Sequence, residues 1–103
     1  MATDIAVHKI GNSVNGHGAP APEWPRLDGE KALAENTDSK QFDVAYPAIF
    51  ALTATAKVRV DLRLAADAAS LNPGQSPEVL EAGVTRFFTV PAGSWKLKTL
   101  AYV

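Results

Sequence analysis

Lys57-Val58-Arg59-Val60-Asp61-Leu62-Arg63-Leu64 decides the fold. Every even position is aliphatic and every odd one charged, a period of two that a helix cannot present on one face. The stretch reads as an antiparallel strand with Val58, Val60, Leu62 and Leu64 toward a core. Lys57, Arg59, Asp61 and Arg63 are then expected to face water.

The same chemistry continues on both sides. Upstream, 42–46 and 48–54 suit two further strands separated by Pro47, which cannot donate to a ladder. Downstream, Asn72-Pro73-Gly74 and Pro77 are turn residues, and 84–90 is β-branched and aromatic. The segment 77–83 suits a short strand in preference to a single helical turn. Pro91-Ala92-Gly93-Ser94 then leads into a last strand over 95–103. A first strand is expected over 3–10. Good helix formers over 28–35, behind Asp28 as a cap, predict a two-turn helix. Short strands at turn-punctuated spacing imply an all-β chain, an antiparallel β-sandwich or jelly-roll-like barrel.

The chain divides near residue 41 into an N-terminal strand and Pro/Gly-rich arm (1–40) and a sandwich core (41–103), within a single domain overall. The arm reads as turns and polyproline-like chain around Asn15-Gly16-His17-Gly18 and Ala19-Pro20-Ala21-Pro22-Glu23-Trp24-Pro25. At 103 residues such a domain buries about two thirds of its unfolded surface, which leaves little stability to spare. No cysteine is present, so packing, hydrogen bonds or association must hold it. Ten basic against eleven acidic residues give a net charge of −1, which offers no footprint for nucleic acid. The apolar run 45–56 is too short for a membrane-spanning helix, and the first nine residues lack a secretory signal pattern, so the chain is expected to stay where it is made.

Catalytic chemistry finds little to work with. His8 and His17 are the two histidines, one in the expected first strand and one in a glycine-rich loop, and neither lies in a nucleophile motif. Their spacing does not place them on one face as zinc ligands. Asp61 and Asp67 fall on a solvated strand face and in a loop. Gly11 to Gly18 lacks the strand, helix and lysine of a phosphate-binding loop. The expectation is no catalytic, cofactor-binding or metal site, and no enzyme. Of the eight aromatics most suit a core, whereas Trp24, between Pro22 and Pro25, suits an anchor on a stiffened arm. In the last strand Lys96, Lys98, Leu100 and Tyr102 share one face, and Trp95, Leu97, Thr99, Ala101 and Val103 the other. A terminal strand apolar on both faces is either buried between layers or shared across a subunit contact, and with the proline-rich arm it favours a subunit contact, at Leu100 and Tyr102.

The half of the chain from Ala54 onward resembles small tailed-bacteriophage virion proteins. The resemblance lies in the charged/aliphatic strand 57–64, the Ala66-Asp67-Ala68-Ala69 step, Asn72-Pro73-Gly74 and Pro77. It continues through Leu80-Glu81-Ala82-Gly83, Phe87-Phe88-Thr89-Val90 and Pro91-Ala92-Gly93. It implies a capsid decoration (cement) protein in the virion, assembled in the host cytoplasm. It further implies a homo-oligomer, a trimer by analogy, binding the major capsid protein or other virion proteins, without nucleic acid, membrane or cofactor. The other class compatible with these residues is a carbohydrate- or receptor-binding β-module of a tail or fibre.

Overall fold

The structure is a computed structural model and describes residues 2–14, 20–22, 26–66 and 78–102. The described residues form nine strands and no helix. They are β1 (Ala2–Val14), β2 (Pro20–Pro22), β3 (Asp28–Ala34), β4 (Phe42–Val44), β5 (Ala48–Ala54), β6 (Val58–Leu64), β7 (Glu78–Leu80), β8 (Thr85–Val90) and β9 (Gly93–Ala101). Two antiparallel sheets pack face to face as a sandwich-like all-β domain. The first runs β2-β1-β5-β8 with β3 also on β1, and the second runs β4-β9-β6-β7.

Register places the core. In the second sheet Val58 faces Ala101, Val60 faces Thr99, Leu62 faces Leu97 and Leu64 faces Trp95, so the alternation of β6 delivers one aliphatic row inward. In the first sheet Ile5 lies opposite Leu52 and Val7 opposite Phe50. Phe50 in turn lies opposite Phe88, and Ala48 opposite Val90. These two rows make a single apolar cluster that includes Phe42, Leu80 and Trp95. Strands from both sides of residue 41 contribute to it.

The expected helix over 28–35 is instead β3. A two-turn helix closes few hydrogen bonds, whereas residues 28–34 can pair along the edge of β1 and bury Leu33 opposite Thr3. The pairing slips between Thr3 and Ile5, where Lys31 and Ala32 together oppose Asp4. Ala32 takes up this bulge at φ +57°, and Asp4 Oδ1 accepts its N–H at 2.9 Å. The first strand is also longer than expected, continuing past residue 10 to Val14. Pro20–Pro22 then returns as β2 against Ile10 and Val14, an edge position where a missing N–H is tolerated.

Residues 34–40 lace the sheets together on one side. Leading on from β3, they run beside β9: Ser39 N–H donates to Leu97 O at 2.7 Å and Thr99 N–H to Thr37 O at 3.1 Å. Leu97 N–H donates to Ser39 Oγ at 2.8 Å, and the buried Thr99 hydroxyl donates to Ala34 O at 2.6 Å. Two carboxylates tighten this side. Lys40 pairs with Asp28 and, with the Gly29 N–H assisting, holds its carboxyl below the usual carboxylate range. Asp43 is lowered as well, first by the Ser94 hydroxyl and then by Gln41.

Phe50→Ala is expected to cost about 3–5 kcal/mol by leaving a cavity at the sheet interface, read by urea denaturation, whereas Phe87→Ala, on the outward side of β8, should stay within about 0.5 kcal/mol. Both lowered carboxyls stabilise the fold above their unfolded pKa. That contribution disappears as pH falls through their lower folded values. A double Asp28→Asn, Asp43→Asn variant should therefore lose less stability than the parent between neutral pH and strong acid, with the difference confined to the acid limb.

Candidate functional site

On the opposite side of the sandwich residues 81–84 carry the chain from β7 to β8, with Gly83 N–H donating to Ala54 O at 2.8 Å, and side chains of the two strands add to that connection. Glu78 lies opposite Val60 and Arg86 opposite Leu52, so both belong to the inward parity of their strands, at the edges of the two sheets. Charged residues pointing inward at an edge discourage further strand pairing. They meet across the opening, with Arg86 Nη1 at 3.4 Å from Glu78 Oε2 and donating to Val79 O at 2.9 Å. The guanidinium also stacks 4.9 Å from the centre of the Phe88 ring.

Behind this pair is a cavity of about 210 Å³ lined by Phe50, Leu52, Val60, Leu62, Phe88, Val90 and Leu97, with Glu78 and Thr89 completing the wall. Its interior is apolar and its mouth carries a carboxylate. Such a chamber can take an apolar group with one hydrogen-bond donor.

Those residues nominated from sequence that the structure describes, Pro22, Leu100 and Tyr102, fall elsewhere. Leu100 is on the outward side of β9, opposite Arg59, in a row that continues through Lys98 opposite Asp61 and Lys96 opposite Arg63, and Tyr102 follows directly after the end of the strand. Leu100 is half-buried and Tyr102 exposed. Tyr102 is engaged within the chain: Lys57 Nζ sits 4.2 Å above its ring centre and 3.5 Å from Glu81 Oε1. The phenol, and secondarily the Glu81 carboxylate, raise the pKa of the Lys57 ammonium. Pro22 is exposed at the end of β2. Trp24 and Pro25 lie outside the described residues, as do His17 and Asp67.

Asp61 departs from expectation. Although it shares the outward parity of β6, it is only 7% exposed, because Arg63 Nε donates to its Oδ2 at 3.1 Å and Lys98 lies opposite. Leu64, expected in the core, is 37% exposed at the end of its strand. Phe42, Phe50 and Trp95 are buried as expected of core aromatics, but Tyr46 and Phe87 are exposed. Among the described residues no group of three or more His, Asp or Glu is placed to hold a metal ion, and no helix is long and apolar enough to cross a membrane. What sequence reasoning missed is the Arg86–Glu78 mouth. Its two residues belong to different sheets, and their meeting follows only from both registers.

No family model matches the chain, and neither a curated protein nor a solved structure matches it.

Tyr102→Phe should lower the Lys57 pKa toward that of an ordinary lysine, followed by NMR of the side-chain methylene next to the ammonium. The folded-state pKa of Lys57 is raised, so its stabilising contribution is present below the unfolded value and is lost as pH climbs through the folded one. The parent should therefore lose slightly more stability than Tyr102→Phe in strongly alkaline solution.

Proposed function

We propose that the chain is a structural protein that acts by binding other protein chains. On the turn-and-strand resemblance of its C-terminal half, we propose further that it decorates and stabilises a tailed-phage capsid. The observation that carries the reading is the placement of large apolar side chains on the surface: Tyr46 is 78% exposed, Phe87 59% and Tyr102 47%. Each is carried on or beside a strand of a hydrogen-bonded sheet, so little ordering entropy is lost when a partner covers it.

In this reading function consists of surface burial between chains, with no bond made or broken. Leu100 and Tyr102 form one contact. Trp24, flanked by Pro22 and Pro25, anchors a second on a neighbouring copy or on the major capsid protein.

Size-exclusion chromatography with light scattering, followed by co-sedimentation with capsids assembled without the protein, tests the proposal. A homo-oligomer that binds such capsids at a fixed ratio, with Trp24→Ala binding at least about tenfold more weakly as the loss of a central aromatic anchor requires, supports it. A strict monomer that leaves capsids unbound contradicts it. Saturable glycan binding in the same preparation would move the assignment to a carbohydrate-binding module.

A further inference from the structure

We infer that the cavity between β7 and β8 is a socket for one aromatic side chain with a donor tip, a tryptophan carried by another protein chain. This rests on the reading of the chain as a protein-binding module, and it names the chemistry the partner must present.

Size, lining and mouth all point the same way. An apolar cavity of about 150 Å³ is enough for benzene, and this one is about 210 Å³. Phe50 and Phe88 offer ring surfaces, and Leu52, Val60, Leu62, Val90 and Leu97 supply aliphatic walls. A fully polar occupant would forfeit its hydration against that lining. The wall contains one carboxylate, that of Glu78, on the inward parity of β7 and half exposed. A carboxylate accepts hydrogen bonds and donates none, so it matches an indole N–H and gives nothing to a plain phenyl or alkyl group. An amphipathic ring with an apolar body and a donor at its edge satisfies both parts at once.

Arg86 sets the entry. It spans from β8 to the Val79 carbonyl on β7 while its guanidinium covers Phe88. Its ion pair with Glu78 is half exposed, with a separation of 3.4 Å, and exposed pairs of this kind hold weakly, about 0–1 kcal/mol. An incoming indole can thus take over the Glu78 carboxylate without breaking a strong contact, and Arg86 keeps its bond to Val79 O. Charge at the mouth also disfavours a neighbouring strand adding to this edge, which leaves side-chain insertion as the mode of contact.

The probes are N-acetyl-L-tryptophanamide, indole and 1-methylindole, titrated into the full chain and followed by NMR of the methyl and aromatic signals. Saturable shifts at Leu62, Phe88, Val90 and Leu97, with indole bound several-fold more tightly than 1-methylindole, are expected. In Glu78→Ala that preference should vanish, and Leu62→Trp should abolish binding by filling the chamber. If Leu62→Trp fails to fold, the Glu78→Ala comparison decides. The absence of saturable shifts, shifts at Tyr46 and Phe87 in place of the cavity, or equal binding of the two indoles overturns the socket. Capsid binding or oligomer formation that persists alongside such a result leaves the protein-binding reading standing and removes this inference alone.

Discussion

Phe42 and Phe50 meet edge to face across the sandwich, their ring centres 5.6 Å apart and their planes at 78°, and the domain is organised around that contact. One ring comes from the short β4 at the edge of the second sheet, the other from β5 in the middle of the first. A domain this small has no second core to fall back on. The two sheets must share one apolar layer, and every strand is placed by the parity that sends its apolar row into it. Thr3 and Thr99, both almost fully buried, show that the layer also admits hydroxyls. Thr99 does so at the cost of a hydrogen bond that the Ala34 carbonyl supplies.

Chain connections cross between the sheets on two sides of the sandwich. Beside β9 the chain segment 34–40 crosses from one sheet to the other and hydrogen-bonds through its backbone, so that side is held by a covalent connection and a partial ladder. Beside β7 and β8 the chain segment 81–84 makes the crossing, with Gly83 N–H bonded to Ala54 O, and Arg86 adds a side-chain reach to Val79 and Glu78. The Arg86 contact, unlike that connection, can be displaced without unfolding a strand.

The strands that could be read from sequence were those with an internal pattern strong enough to act alone. The alternation over 57–64 and the apolar run over 48–54 correspond to β6 and β5 with little change of boundary. Residues 28–34 could not be read correctly because Glu30, Lys31, Ala32 and Leu33 favour a helix locally, while the pairing with β1 that overrides this preference is contributed by residues more than twenty positions away. Gly11 and Pro22 looked like turn and arm residues for the same reason: their pairing partners are each other's strands. The faces of β9 followed directly from parity, which is why Leu100 falls in one row with Lys96 and Lys98. The packing of Lys57 against Tyr102 and the meeting of Arg86 with Glu78 depend on loop paths and on two registers at once, and no local pattern encodes them.

The proposal that this cysteine-free sandwich works through the apolar side chains at its surface stands or falls on whether they contact a capsid. Cryo-electron microscopy of intact particles produced by the genome that encodes this chain tests that most directly. The account predicts repeated density on the outside of the shell that fits the two-sheet domain, in contact with the major capsid protein or with other copies through the Leu100–Tyr102 side. Particles whose outer surface carries no such density, in cells where the chain is made in quantity, would contradict it.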